Sequence, residues 1–422
     1  MPNKDRNIPK RRFKEFENAD AWELRKLGEL GTLKNGMNFS KDAMGIGFPF
    51  INLQNIFGKN IVDVSQLGLA KASSIQLKNY NLQKGDVLFV RSSVKLEGVG
   101  EAAIVPKNLE NTTYSGFIIR YRDSFGLDYN FKRFTFGTSN IRNQIMSQAT
   151  DSANKNISQQ VLAELDILVP SLPEQSAIGT FFSTLDRHIT LHQRKLDKLK
   201  CVKQAYLSEM FPAEGERVPK RRFPGFTDAW ELRKLGEVME VTSVKRIHQS
   251  DWTDFGVRFL RARDIVAESK NESVSEPLFI SQKKYDEYTA ISGKVTKGDL
   301  LVTGVGTIGI PMLIEKNEPI YFKDGNIIWF KNENHIDGQF FYYSFIGKKI
   351  QSFIKESAGI GTVGTFTINT GKNTPIDLPV LKKEQEAIGT FFSTLDRHIT
   401  LHQRKLEKLK NLKKALLNEL FV

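Results

Sequence analysis

Two stretches of the chain carry apolar residues at alternating steps of three and four. The first runs through Ile178, Phe182, Leu185, Ile189, His192, Leu196 and Leu199, and then through Lys203, Tyr206 and Met210. The second runs through Ile388, Phe392, Leu395, Ile399, His402, Leu406 and Leu409, and then through Lys413, Leu416 and Leu420. A heptad stripe this long predicts two extended helices, each roughly 50 Å at 1.5 Å per residue. Glu174 and Glu384 fall where each helix starts, as the helix dipole favours. A lone helix with one apolar stripe is not stable in water. The simplest partner for each is the other, and an antiparallel pair is expected. His192 and His402 interrupt the stripe. Both have Leu rather than a second ligand four residues on, so a polar seam residue that fixes register is favoured over a metal ligand or proton switch.

Elsewhere the pattern changes to short apolar runs bounded by turn residues, which predicts mixed domains with many short strands. NLQKGDVLFVRSS (Asn81–Ser93) and KVTKGDLLVTGVG (Lys294–Gly306) share one layout. In each, a Lys-Gly-Asp turn feeds a buried strand that opens into a small polar loop. The two regions are therefore expected to share a fold, although little else in their sequences matches.

The helices belong to a larger repeat. EQSAIGTFFSTLDRHITLHQRKL (Glu174–Leu196) returns at Glu384–Leu406 with one change, Ser176 to Glu386. IPKRRFKEFENADAWELRKLGEL (Ile8–Leu30) returns, two residues shorter, as VPKRRFPGFTDAWELRKLGEV (Val218–Val238). This divides the chain into a first repeated segment (1–30), a variable domain (31–172), a central helix (173–211), a linker with the second repeated segment (212–238), a second variable domain (239–382) and a C-terminal helix (383–422). The expected class is α/β (α+β): two globular domains of mixed β-sheet and helices, separated by two long antiparallel coiled-coil helices. Two copies are too few for a solenoid but suit a dimer fused into one chain, with a pseudo-two-fold internal repeat.

Composition narrows the function. The 422 residues are 40% hydrophobic and 26% charged, ordinary for a soluble globular protein. No apolar run is long enough to span a bilayer and no signal-like stretch opens the chain, so a cytoplasmic location is expected. The single cysteine, Cys201, excludes an intrachain disulfide and a cysteine-built zinc site. The net charge of +13 points to a polyanionic partner, usually nucleic acid, against the alternative of a solvated surface richer in Lys than Glu.

Catalytic signatures are missing. Gly304-Val305-Gly306-Thr307-Ile308-Gly309 fits G-x-G-x-x-G but runs into Ile-Pro instead of a helix start, and the acidic residue about 20 positions on, Asp324, lies in a turn-like FKDGN that does not fit the ribose role. There is no P-loop and no G-x-S-x-G elbow. Four of the six histidines sit in the two helices, which leaves little for a triad or metal site, and no metal site is expected.

The polar loops do hold groups that read DNA: Arg for guanine, Asn and Gln for adenine, and Lys, Ser and Thr for phosphates. The candidates in the first variable region are Arg91, Ser92, Ser93, Lys95, Asn140, Arg142, Asn143 and Lys155. Those in the second are Lys245, Arg246, Thr303, Thr307, Lys323, Asn326, Thr362 and Lys372. Arg258, Arg261 and Arg263 alternate in VRFLRARD, which fits either a charged strand face or pairing with Asp264 and Glu268.

The layout resembles the DNA-specificity subunit of type I restriction-modification systems. The resemblance is carried by Ile167–Lys200, by Ile376–Lys410, by the FPGFTDAWELRKLGEV segment and by the two Lys-Gly-Asp strands. It covers essentially the whole chain, and only KEFENADAW in the first half departs from its counterpart PGFTDAW. The resemblance implies two target-recognition domains, each reading one half of a bipartite gapped site in double-stranded DNA, held apart by the antiparallel helices. It implies no active site in this chain. It further implies assembly with two methyltransferase subunits and two translocase/nuclease subunits, with S-adenosylmethionine, ATP and Mg bound in those partners. The family's base-contacting residues vary with the site, so none transfers by motif. Two alternatives stay open: a nucleic-acid-acting enzyme with an unrecognised site, and a scaffold that does not read DNA.

Overall fold

The computed structural model describes residues 7–149, 155–270, 272–323, 325–358 and 364–421. The chain forms two compact units, one of residues 1–193 with 404–422 and the other of residues 194–403. The division falls inside both long helices, so each unit holds one variable domain, the start of one helix and the end of the other.

The first unit is built on a four-stranded antiparallel sheet in the order Gly31–Asn35, Ile118–Asp123, Val87–Val90, Ala102–Ile104. The second has the same arrangement in Glu240–Thr242, Ile327–Lys331, Leu300–Thr303, Pro311–Leu313. The two Lys-Gly-Asp turns feed the third strand of each sheet. Gly85 and Gly298 take φ of +90° and +96°, which L side chains adopt only with strain. Asp86 and Asp299 are buried and close the turns by accepting the amides of Gln83 and Thr296. Asp299 also accepts the Trp329 indole and the Asn332 amide, whereas Asp86 is forked by Arg122. The strands that follow, Val87–Val90 and Leu300–Thr303, are buried throughout, as a strand covered on both faces requires.

A second sheet packs beside each. In the first unit it holds Gly68–Ala70, Met44–Ile51 and Thr113–Tyr114; in the second, Leu278–Ile280, Val257–Leu260 and Ile320–Phe322, with Trp252–Thr253 added at the edge. In both, the last pair is parallel and the others antiparallel. A shared fold thus lies under sequences whose visible similarity is confined to one turn and one strand.

The repeated segments meet in each unit. The Glu-Leu-Arg-Lys strands, Glu23–Lys26 and Glu231–Lys234, pair with the strands that lead into the long helices, Asp166–Val169 and Pro375–Leu378. The long helices run Leu172–Glu209 and Lys382–Leu420. In the first unit, Ile178, Phe182 and Leu185 are buried with Leu416, Leu420 and Phe421, and Ile189 and Leu409 pack on the same cluster. In the second, Ile388 and Phe392 are buried with Met210, and Leu395, Tyr206 and Phe211 pack there. Asp186 meets Lys413 at 2.6 Å while Phe182 meets Phe421, so the helices run antiparallel within the unit. Lys203 with Asp396 and Phe211 with Phe392 give the same direction in the other. The lysines in the stripe therefore reach aspartates on the facing helix. Leu196, Leu406 and Ile399 are buried, and His192, His402 and Leu199 are half-buried.

The PKRRF motif clamps this pairing. Arg12 forks onto the buried Glu174 at the start of the first helix, and Arg222 onto Glu384 at the start of the second. Each carboxylate also accepts an indole N–H, from Trp22 or Trp230. Pairing with these carboxylates raises both guanidinium pKa values above the ordinary one. The neighbouring arginines grip the end of the other helix: Arg11 pairs with Glu419, and Arg221 with Glu209. Aromatic rings fill the joint, with Phe421 against Trp22, Phe131 and Phe182, and Phe211 against Trp230, Phe340 and Phe392. The two extra residues of KEFENADAW do not disturb it. They fall around an exposed turn at Lys14–Phe16, and Trp22 still reaches Glu174.

Candidate nucleic-acid interface

The strand that follows each Lys-Gly-Asp turn ends in the same backbone frame. In the first unit the Val90 amide donates to Glu101 and its carbonyl accepts from Gly100; Arg91 donates to Phe117 and accepts from Ile157. In the second, Thr303 donates to Ile310 and accepts from Gly309, and Gly304 donates to Asn326 and accepts from Phe366. All eight bonds lie between 2.7 and 3.0 Å. Gly100 and Gly309 both have positive φ, and a Cβ on either would press on an isoleucine, Ile145 or Ile354, of a flanking helix. The frame equates Arg91 with Gly304 and Phe117 with Asn326. The scaffold is shared, and the side chains at its end differ.

In the first unit the frame gathers several candidates. Ser92–Ser93 forms a short strand paired with Lys155–Asn156, so Arg91, Ser92, Ser93, Lys95 and Lys155 share one edge. Arg91 donates a long bond, 3.4 Å, to the Gly116 carbonyl. The Ser93 hydroxyl turns back to the Lys95 amide. The segment around Asn140, Arg142 and Asn143, expected as a polar loop, is a helix, Ser139–Gln148, with Thr138 at its N-cap. Ile141 and Ile145, one turn apart, are buried and hold it to the core. Asn140 and Asn143 are exposed on it. Arg142 is turned inward: it donates to the Glu97 carbonyl at 2.6 Å, and burial lowers its pKa. It braces the Lys95–Val99 turn.

The second unit scatters its candidates. Thr303, Thr307 and Asn326 lie together, but Thr303 is fully buried and its hydroxyl is spent on the Thr307 carbonyl. Thr307 is exposed, and Asn326 is half-buried. Lys323 is exposed beyond the Ile320–Phe322 strand. Lys245 lies over the Tyr288 ring at 4.6 Å, and Arg246 is exposed beside it. Lys372, also expected in a loop, is on a short helix, Ile368–Asn373, that packs closely against Gly236. Thr362 lies outside the described residues. The Arg258–Arg263 run is not one strand face. The strand ends at Leu260, and Arg261 and Arg263 turn onto the buried Asp264 in the first turn of the next helix.

Two residues at the first frame are apolar and so lie outside the polar candidates of the sequence. Phe117 is 57% exposed and Val94 is 78% exposed, both on the wall of a cleft of about 580 Å³ that also includes Leu53, Phe57, Ser92, Ser93 and Lys95. A large apolar ring left in water on a hydrogen-bonded frame is the signal that could have found it. Among the described residues, no group of three or more His, Cys, Asp or Glu is placed to hold a metal ion, and no helix is long and apolar enough to cross a membrane.

Comparison with known proteins places this geometry. The family model for the type I restriction modification DNA specificity domain matches twice, at residues 19–201 and 227–411. The chain is 24% identical to the putative type I restriction enzyme MjaX specificity subunit of Methanocaldococcus jannaschii, over 98% of this chain and 96% of that one. It is 28% identical to the EcoKI specificity subunit of Escherichia coli over 35% of this chain and 32% of that one. The crystal structure of the type I restriction-modification S subunit from M. genitalium superposes with a TM-score of 0.61 at 17% identity, over 98% of this chain and 99% of that one.

Proposed function

The chain belongs to the type I restriction-modification DNA specificity family and is the non-catalytic specificity subunit of such a complex, and we propose that it reads a bipartite gapped site with one half assigned to each variable domain. Residues 31–172 form one target-recognition domain and 239–382 the other. The helices 173–211 and 383–422 set the distance between the half-sites. Together with the repeated segments 1–30 and 212–238, they also form the docking faces for two methyltransferase subunits. Two translocase/nuclease subunits complete the complex in the cytoplasm. S-adenosylmethionine, ATP and Mg act in those partners.

One observation carries this reading. The ion-paired clamp of the two joints is repeated, Arg12 with Glu174 and Arg222 with Glu384, while the residues at the ends of the two frames are not. Repeated segments suit repeated partners, and different edges suit different half-sites. The test is a genome-wide methylation map of cells that express the chain with its methyltransferase, compared with cells lacking the chain. A gapped motif methylated only when the chain is present supports the reading. A complex that assembles but methylates no chain-dependent gapped motif overturns it in favour of the scaffold.

A further inference from the structure

The two frames place one residue of each domain in the same position, immediately before the second strand of the four-stranded sheet. In the first domain it is Phe117, ahead of Ile118–Asp123; in the second it is Asn326, ahead of Ile327–Lys331. The registers agree, since Ile118 faces Val90 and Ile327 faces Thr303. Each follows a glycine in a tight turn, Gly116 or Gly325, and each gives its carbonyl to the residue after the buried strand. The backbone bond at its carbonyl and the strand pairing that follows fix where each side chain starts.

Neither side chain has an internal use that accounts for it. Phe117 belongs to none of the hydrophobic clusters of the first unit and is more than half exposed. The Asn326 amide has no hydrogen-bond partner among the described residues, although its backbone carbonyl is engaged. Arg91 and Lys95 lie on the same edge as Phe117. The cleft that Phe117 lines also includes Glu97 and Glu101, and Glu101 accepts the Gly58 amide. A rigid apolar ring beside cations suits a surface that touches base edges while its rim holds phosphates. In the major groove the apolar feature of a base pair is the thymine methyl, and the group that matches a side-chain amide is the adenine edge, N6 and N7.

We propose that Phe117 and Asn326 are equivalent specificity-determining residues: Phe117 contacts a thymine methyl in the half-site of the first domain, and Asn326 forms paired hydrogen bonds with an adenine in the half-site of the second. This rests on the reading of the chain as a two-domain DNA reader. It goes beyond that reading in naming the position and the base each residue takes. One scaffold then reads two sequences by exchanging an apolar contact for an amide at one point.

The test is the methylation map of the assembled complex carrying Phe117→Ala, Phe117→Leu or Asn326→Ala, with thermal unfolding as a control on folding. Phe117→Ala should lower discrimination at a single A·T pair of one half-site, leaving the other half unchanged. Phe117→Leu, which keeps an apolar side chain, should retain most of it. Asn326→Ala should relax a single adenine in the opposite half, by about 5- to 150-fold. A uniform fall in methylation with an unchanged motif overturns the inference, because it marks a contact with backbone rather than base. Relaxation at a G·C pair, or of both half-sites by one variant, also overturns it. If the unaltered chain directs no gapped motif, the reading of the chain falls and the inference with it. If it does and all three variants leave the motif intact, only the inference falls.

Discussion

Glu174 holds the guanidinium of Arg12 with both carboxylate oxygens, each at 2.7 Å, across 162 residues of sequence. The carboxylate is 1% exposed and also accepts the Trp22 indole. Glu384 does the same for Arg222 and Trp230. Breaking one side of such a buried pair strands a charge away from water. Glu174→Ala and Glu384→Ala should each destabilise the unit that contains them by about 3–5 kcal/mol. Hydrogen exchange resolved by segment checks this. Protection should fall in 7–22 and 172–185 for the first variant, and in 218–230 and 382–395 for the second.

Gly179 lies within a long helix, where alanine would normally be the better residue. Here a Cβ would stand 2.6 Å from the Phe131 amide nitrogen, and at Gly389 it would stand 2.8 Å from that of Phe340. The glycines let the short helices Tyr129–Thr135 and Gly338–Phe345 touch the long ones. Gly179→Ala and Gly389→Ala should therefore lower stability by about 1–3 kcal/mol. A rise in melting temperature in either variant would contradict this packing.

Much of this was legible in the chain and some was not. The heptad stripes are local and periodic, so Ile178–Leu185 and their counterparts announce helices. The Lys-Gly-Asp turns are likewise local: a glycine with positive φ beside an aspartate that caps its own turn. The joint is different. Glu174 reads from sequence only as an acidic residue at a helix start and Arg12 only as part of a repeated segment, and no spacing rule links positions so far apart. The DNA candidates were sought as polar loops. Asn140–Asn143 went to a helix because Ile141 and Ile145 bury one turn of it, and Thr303 went to the core because its hydroxyl closes a turn. Phe117 is not among the sequence candidates because an isolated apolar residue ahead of the buried run Ile118–Tyr121 reads as part of the strand.

Asp299 accepts two buried donors, the Asn332 amide and the Trp329 indole, as well as the amide and hydroxyl of Thr296 at the turn. Asp299→Ala leaves the two buried donors without an acceptor, at a cost of about 2 kcal/mol or more. The loss should appear as exposure of Trp329, measured as a red shift of its fluorescence in a variant whose other tryptophans are replaced by phenylalanine. An unshifted spectrum would show that the turn is held by something else.

Inserting one heptad at matched points of both helices, after Gln193 and Gln403, keeps the apolar stripes in phase and adds about 10 Å. If the helices set the distance between half-sites, the gap in the methylated motif should grow by about three base pairs, with both half-sites unchanged. An unaltered gap in an assembled complex would remove the spacing role from the helices.

The most direct test of the central claim is to replace residues 239–382 with a second copy of 31–172 and map the methylation that the assembled complex directs. A chain whose repeated parts are joints and whose variable parts are readers should then methylate a symmetric gapped motif, the first half-site followed by its own reverse complement. If that complex assembles and still methylates the original asymmetric motif, the variable domains are not what reads the DNA.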